Sequence, residues 1–213
     1  MKKAVTPLNL LLALALTLFI IAAAVVITLH FRPLYYLDVD WLDIPAMSGL
    51  PKDEIFANYN ALIDYNSIFG PQTLEFPTLA MSETGRIHFE EVKAVFIFFE
   101  ILALAAGLLS AAGIVYRHFH KNTGYLLLTG ILTIALPVIL GLLIALNWQT
   151  VFVLFHKIVF KNNYWIFDPA TDPVITILPD AFFMHCALLI LVLVVLGSLI
   201  CLLLYRHCRK KAA

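Results

Sequence analysis

A polar motif that runs directly into a long apolar segment indicates the class of this protein. Residues 86–116 read RIHFEEVKAVFIFFEILALAAGLLSAAGIVY, and the part from 94 to 116 contains a single charged residue, Glu100. A helix needs about 20 apolar residues to cross the hydrocarbon core of a bilayer. The segment 94–116 therefore predicts a transmembrane helix that begins just after a cluster of polar side chains.

Three further apolar runs, at 7–28, 124–146 and 185–205, are long enough to cross a membrane. Hydrophobic residues make up 62% of the 213 residues and charged residues only 13%, which excludes a soluble domain. We expect an all-α, multi-pass integral membrane protein with four transmembrane helices, in a single membrane domain over residues 1–213. The first run is longer than the apolar part of a secretory signal, so we interpret it as a retained anchor.

The distribution of Lys and Arg predicts the orientation of these helices. Eight of the fourteen lie before the first run, between the second and third, or after the fourth: Lys2, Lys3, Arg117, Lys121, Arg206, Arg209, Lys210 and Lys211. Positive charge marks the cytoplasmic side, so both termini are predicted to be cytoplasmic. The longer loops, 29–93 and 147–184, hold thirteen acidic and six basic residues. We expect them to form a small extracytoplasmic cap of short helices and strand pieces.

One helix of this cap is predicted to begin near Pro51. Proline is favoured at a helix start, and Asp53 and Glu54 in the first turn interact favourably with the helix dipole. Tyr59 and Asn60 then place polar groups on the helix, which either reach a lipid head group or bond to the loop backbone.

Other parts of the cap predict a second helix and two short strands. Apolar residues at helical spacing in 152–160 favour a surface helix that carries His156. Aromatic and acidic residues alternate in 31–43, and residues 174–177 read VITI between turn residues. Both patterns predict short strands.

Two histidines in the outward loops, His88 and His156, are candidate proton carriers. We expect His88 in the first turn of a long helix, whose dipole disfavours the imidazolium and keeps the ring neutral. The acidic neighbours Glu90 and Glu91 act in the opposite direction, and the sequence leaves that balance open. Glu100 lies about 18 Å further along the helix, inside the hydrocarbon, where it is either functional or a protonated structural residue.

The order of these motifs resembles a known family. The motifs are NYN at 58–60 with Tyr65, RIHFEEV at 86–92, FHK at 155–157, WIFDP at 165–169 and LP at 178–179. With these motifs and four predicted transmembrane helices, the chain resembles the bacterial lipoprotein intramolecular transacylases over essentially its whole length. The resemblance implies transfer of the sn-2 acyl chain of a diacylglyceryl-cysteine lipoprotein to the α-amino group of the same cysteine, giving a lyso-form lipoprotein. It also implies that His88 and His156 are catalytic, on the extracytoplasmic face of the bacterial cytoplasmic membrane.

This chemistry needs only a proton carrier and good positioning. An α-amine with a pKa near 8 requires a base that works near neutral pH, and the ester and amine of one molecule are already close. We hypothesise that His88 takes the proton from the α-ammonium and that His156 gives one to the sn-2 oxygen, although the two roles are interchangeable.

Polar residues near the histidines in the motifs are candidates for binding or orienting the substrate: Tyr59, Asn60, Arg86, Glu91, Lys157, Tyr164, Trp165 and Asp168. A tetrahedral intermediate needs a hydrogen-bond donor, and we consider Arg86, Lys157, Tyr164 or backbone N–H groups after Asp168. Asp168 or a neighbouring Glu is a candidate to orient one imidazole, as carboxylates do in hydrolytic triads.

The predicted partners are a diacylated lipoprotein N-terminus and membrane lipid, without nucleic acid, cofactor or metal. The chain lacks the G-x-S-x-G, Walker and H-E-x-x-H motifs. Two alternatives remain. The first is a membrane lipid-ester hydrolase that uses the same His pair or a His-bound metal, with water as acceptor, and the second is a non-enzymatic membrane subunit or transporter.

Overall fold

In the part of the chain that the structure describes, the regular secondary structure is helical. This computed structural model describes residues 5–212, with the side chains of Leu136, Lys211 and Ala212 excepted. Its helices are α1 (Pro7–His30), α2 (Arg32–Trp41), α3 (Ile44–Ser48), α4 (Lys52–Tyr65), α5 (Glu83–Phe119), α6 (Gly124–Leu146), α7 (Trp148–Val159), α8 (Val174–Ile177) and α9 (Asp180–Ala212). Lys2, Lys3 and the Lys211 side chain, which entered the orientation argument, lie outside the described residues.

Four helices, α1, α5, α6 and α9, are long and apolar enough to cross a membrane. The prediction of an all-α chain with four such helices is therefore confirmed. Two of them begin before the predicted apolar runs, α5 at Glu83 and α9 at Asp180. The polar motif 86–92 consequently belongs to the same continuous helix as the apolar segment after it.

The prediction of strand pieces was wrong, since residues 5–212 contain no strand. Residues 32–41 form α2, with a proline in its first turn, and they bury Tyr35, Asp38 and Val39. Residues 174–177 form α8, and they bury Val174 and Ile177. The buried positions in each are three or four residues apart, which is the spacing of one helix face. Packing of these residues onto a common core therefore outweighs their local preference for strands.

Residues Ile27–Phe98 and Leu146–Ala187 form one compact unit, which contains α2, α3, α4, α7 and α8. At its centre the rings of Tyr35 and Tyr59 stack with centroids 3.7 Å apart, and Phe182 packs edge-on against both. The Tyr35 hydroxyl donates a 2.7 Å hydrogen bond to the carbonyl oxygen of Ile177. These contacts join α2, α4, α8 and the start of α9 around one core.

The N-terminus of α5 is held by an aspartate from a distant part of the chain. The Gly85 N–H donates to Ser82 Oγ at 3.0 Å, which caps the helix. Asp172 is buried and accepts a 2.8 Å bond from the Ser82 N–H and another from the Thr171 hydroxyl. A β-carbon on Gly85 would lie 2.2 Å from Asp172 Oδ1, so this approach requires glycine. The contact fixes where α5 begins, and with it the position of His88.

The second unit contains Phe99–Ala145 with the larger parts of α1 and α9. Its helices are joined by buried polar contacts as well as by apolar packing. The hydroxyls of Thr17 and Thr133 are 3.1 Å apart, and Ser198 Oγ donates a 2.7 Å bond to the Gly130 carbonyl oxygen. Such pairs satisfy polar groups within the packed helices.

Candidate active site

His88 lies in an aromatic environment on α5. It is the sixth residue of that helix, so the expectation that it lies in the first turn was wrong. Its side chain is 5% exposed. The ring packs against Phe160 and Phe167, with centroid distances of 4.7 and 5.4 Å.

The structure gives a different physical reason for a neutral His88. Burial lowers its pKa to about 4, and proximity to His156 adds to the effect. The influence of a helix dipole falls off within the first turn, which ends before this residue. Glu90 is paired with Arg86, and Glu91 accepts a hydrogen bond from Asn162. His88, which precedes the apolar segment 94–116, is therefore neutral at pH 7.

His156 is positioned by α7, and a backbone group sets its tautomer. The helix is capped by Asn147, whose side chain accepts a 2.9 Å bond from the Thr150 N–H. His156 Nδ1 lies 2.8 Å from the carbonyl oxygen of Phe152, so Nδ1 carries the hydrogen and donates it. Burial lowers the pKa of His156, while the bond to Phe152 acts in the opposite direction. The neutral ring consequently has its lone pair on Nε2.

The fold brings the two imidazoles together from distant parts of the chain. Their centroids are 6.3 Å apart, and their planes differ by 34°. Phe160 contacts both rings, and Trp165 stacks on His156 with a centroid distance of 4.7 Å. His156 can accept and donate a proton through Nε2, whereas His88, with a pKa of about 4, stays neutral at pH 7 and can form hydrogen bonds. Across residues 5–212, no three His, Cys, Asp or Glu side chains are grouped as metal ligands.

Glu91 and Trp165 are the predicted orienting residues that the structure connects with this pair. Glu91 follows His88 by three residues, so the two side chains share one face of α5. Its Oε1 accepts a 2.8 Å bond from Asn162 Nδ2. Asn162 belongs to the segment between Phe160 and Trp165, which packs on the histidines.

Three other predicted residues are engaged elsewhere. Tyr59 is part of the central core, and burial raises its pKa. Asn60 Oδ1 accepts bonds from Arg32 at 2.9 Å and from the Tyr36 hydroxyl at 2.8 Å. Arg86 lies on the exposed side of α5, where its hydrogen bonds to Glu83 and Glu90 raise its pKa.

The remaining three lie on the surface, Lys157 on α7 and the other two in the segment after it. Lys157 and Tyr164 are exposed. Asp168 closes a turn, because its Oδ1 accepts from the Ala170 N–H and its carbonyl oxygen accepts from the Thr171 and Asp172 N–H groups. The backbone donors after Asp168 are thus used within the turn.

The sequence analysis missed the residues that hold the two histidines in place. Phe152 orients His156 through its backbone carbonyl, and the buried Phe160 packs against both imidazole rings. Asn162 and Asp172 tie the segment after α7 to α5. The helical spacing of Phe152 and His156 was visible in the sequence. The hydrogen bond was not, because every residue has a backbone carbonyl and the residue type does not indicate which one accepts.

Comparison with known proteins identifies the family. The sequence model of the lipoprotein intramolecular transacylases matches residues 10–183. The chain is also similar to a membrane-integral lipoprotein intramolecular transacylase from Bacillus cereus, with 41% identity, a TM-score of 0.94, and coverage of 96% of this chain and 95% of that one.

Two variants of the Bacillus cereus protein match as well. One has a histidine replaced by arginine and the other has a histidine replaced by alanine, each with 41% identity and a TM-score of 0.87. They are covered over 92% and 93% of their length, and this chain over 96%. A comparison with curated proteins gives no match. On the strength of the family match and the solved structures, the chain belongs to the lipoprotein intramolecular transacylases, which makes it a membrane-integral acyltransferase that modifies lipoproteins.

Proposed function

We propose that this protein transfers the sn-2 acyl chain of a diacylglyceryl-cysteine lipoprotein to the α-amino group of the same cysteine. The product is a lyso-form lipoprotein with an N-acyl group and an S-monoacylglyceryl group. The observation that carries the proposal is the neutral His88–His156 pair, with ring centroids 6.3 Å apart on helices of a membrane-integral transacylase.

The transfer needs no covalent intermediate with the enzyme, because the substrate itself supplies both the acyl group and the nucleophile. The α-ammonium first loses a proton, which frees the nitrogen lone pair to attack the sn-2 carbonyl carbon. The bond from that carbon to the glycerol oxygen breaks, and an amide bond forms. The second proton lost from nitrogen ends on the glycerol oxygen, which becomes a free hydroxyl. One or two imidazoles suffice to move these protons.

The sequence suggested that His88 accepts the proton of the amine and that His156 donates one to the glycerol oxygen. The tautomer of His156 favours His156 as the proton acceptor instead. Its Nδ1–H is engaged by the Phe152 carbonyl, so Nε2 is the atom that can accept a proton from the amine. That bond persists in the imidazolium and stabilises it. His156 then returns the proton to the departing glycerol oxygen. His88, whose pKa is lowered to about 4, serves as a neutral hydrogen-bonding group toward the ester.

The reaction is proposed to take place at the extracytoplasmic face of the bacterial cytoplasmic membrane. Thirteen of the fourteen acidic residues lie in the two loops assigned to that face. Most basic residues lie in the segments assigned to the cytoplasm, as the positive-inside rule requires. The predicted roles of Tyr59, Asn60, Arg86, Lys157, Tyr164 and Asp168 stay predictions.

Mass spectrometry of a lipoprotein that is produced together with this protein tests the proposal. Acyl transfer leaves the mass of the lipoprotein unchanged and moves one chain to the α-nitrogen, so the N-terminal fragment gains an amide-linked acyl group. A matched culture that produces the His88→Ala, His156→Ala double variant provides the control.

Two other outcomes would contradict the proposal. Loss of one acyl chain without N-acylation would indicate a hydrolase that uses water as acceptor. An unmodified diacylated lipoprotein in both cultures, with the protein present in the membrane, would favour a non-enzymatic role.

A further inference from the structure

Three buried polar atoms around the histidines have no hydrogen-bond partner among the described residues. They are Glu91 Oε2, His88 Nδ1 and Trp165 Nε1. A polar atom that is removed from water without a hydrogen-bond partner destabilises a protein, so most buried polar groups have a partner. Glu91 and His88 are three residues apart on one face of α5, and Trp165 stacks on His156.

Glu91 is held in one orientation, with one oxygen left over. Asn162 Nδ2 donates to Oε1 at 2.8 Å, and Asn162 Oδ1 accepts from the Tyr164 N–H at 3.0 Å. The side-chain amide therefore connects Glu91 to the backbone of the segment that carries Trp165. Oε2 is fixed by the same contact but has no donor of its own.

The charged residues nearby do not neutralise Glu91. Arg86 and Lys93 are the cations of α5 within five residues of Glu91, and the guanidinium of Arg86 is engaged by Glu83 and Glu90 on the exposed side. Lys93 donates to the carbonyl oxygen of Pro71 and lies over the ring of Tyr65. A partly buried carboxylate oxygen without a donor best accommodates a ligand that brings both positive charge and N–H groups.

We infer that Glu91, oriented by Asn162, binds the α-ammonium of the lipoprotein cysteine through Oε2 before the acyl transfer. The inference rests on the proposed function, because it takes its ligand from that reaction. The α-amine is mostly protonated at pH 7, and an ammonium has three N–H donors. One donor reaches Glu91, and the others remain for the proton acceptor and the peptide. Glu91 is thus a binding residue, and Asn162 is a positioning residue.

A pair of unreactive analogues tests this role. The first is a short lipopeptide whose N-terminal cysteine has a free α-amine and whose glyceryl chains are joined by ether bonds, so that no acyl group can move. The second is identical except that its α-amine is acetylated. Binding of both to the full-length protein in detergent is measured at pH 7. The wild-type protein should bind the free-amine compound about 10-fold more tightly or more, since a hydrogen bond between charged groups is lost in the other.

The Glu91→Gln variant should bind the two compounds equally, because the amide has no charge and offers its own N–H donors. Glu90→Gln is the matched control, since it removes the same charge from the next residue of the same helix, which is exposed. It should keep the wild-type preference. A wild-type preference in Glu91→Gln, or none in the wild-type protein, would overturn the inference.

Asn162→Ala keeps the Glu91 carboxylate and removes the hydrogen bond that orients it. Even if the Glu91→Gln protein does not fold, this variant tests the inference. Its preference for the free amine should fall about 3-fold or more from the wild-type value, and an unchanged preference would count against the inference. The two experiments test the proposed function and the role of Glu91 separately.

If the mass spectra show acyl transfer but the protein does not prefer the free amine, only the role of Glu91 is wrong. If the preference for the free amine depends on Glu91 but no acyl chain is transferred, the proposed transferase reaction is wrong.

Discussion

At the scale of single residues, burial among aromatic rings controls the charge of the two histidines. His88 is nearly inaccessible to water, and its pKa is lowered to about 4. His156 is also held neutral by burial, and its tautomer is set by the Phe152 carbonyl. Neither residue therefore carries a permanent charge into an apolar site at pH 7, and the Nε2 of His156 is the atom that can take part in proton transfer.

Replacement of His156 by glutamine should reduce acyl transfer about 100-fold or more, because an amide cannot exchange protons near neutral pH. Replacement of His88 by glutamine should also reduce it, because the ring that forms hydrogen bonds toward the ester is lost. Turnover of a diacylated lipopeptide by equal amounts of purified protein measures the effect. His118→Gln is the control, since that residue is exposed at the end of α5 and should leave turnover unchanged. Full activity in both site variants would show that the reaction does not use the imidazoles.

The neutral state of His88 also predicts how stability depends on pH. Its pKa is lowered from 6.5 to about 4 in the folded protein, so between these values the unfolded chain binds more protons at this residue. The free energy of unfolding should fall as the pH decreases through this window. Thermal unfolding midpoints in detergent from pH 7.5 to 4 measure this, and His88→Gln should show a shallower decrease than the wild type. Identical profiles for the two proteins would mean that His88 titrates normally.

At the scale of secondary structure, the start of α5 determines where His88 lies. The helix is capped by Ser82, and Asp172 holds the Ser82 N–H from a distant part of the chain. Gly85 is required for the close approach of Asp172. The same aspartate ties the segment that follows α7 to α5, so one contact positions both sides of the site.

Gly85→Ala should destabilise the protein and lower its activity. The added β-carbon would lie 2.2 Å from Asp172 Oδ1, so the carboxylate must move and leave the Ser82 N–H without its partner. We expect a loss of about 1–3 kcal/mol in unfolding free energy, measured as a lower thermal midpoint.

Gly141→Ala is the matched control for a glycine inside a helix. The nearest atom to its added β-carbon would be Leu191 Cδ1 at 3.8 Å, which is an ordinary contact. Alanine favours a helix by about 1 kcal/mol over glycine, so this variant should be at least as stable as the wild type. If both variants behave alike, the contact between Gly85 and Asp172 does not determine the stability of α5.

At the scale of the whole molecule, helices continue from one compact unit into the other. The apolar part of α5 belongs to the unit with Phe99–Ala145, whereas His88 and Glu91 belong to the unit with Ile27–Phe98. An amphiphilic substrate has acyl chains for the lipid and a peptide for the water.

The proposed orientation predicts which residues are accessible from outside the cell. Single cysteines at Phe69 and Ala170, both exposed positions, should react with a membrane-impermeant thiol reagent in intact cells. A cysteine at the exposed Phe119 should react only after lysis. The native Cys186, Cys201 and Cys208 are replaced in all three proteins. The reverse labelling pattern would invert the orientation and move the site to the cytoplasmic face.

The membrane class, the four long helices and the family followed from the sequence, because they depend on composition, on the length of apolar runs and on motif order along the chain. His88 and His156 were selected in the same way. The charge state of His88, the tautomer of His156 and the bond between Asn162 and Glu91 depend on contacts between distant residues, which no local pattern reports. The same reason explains why 174–177, a strand by local preference, folds as α8 when Val174 and Ile177 enter the core.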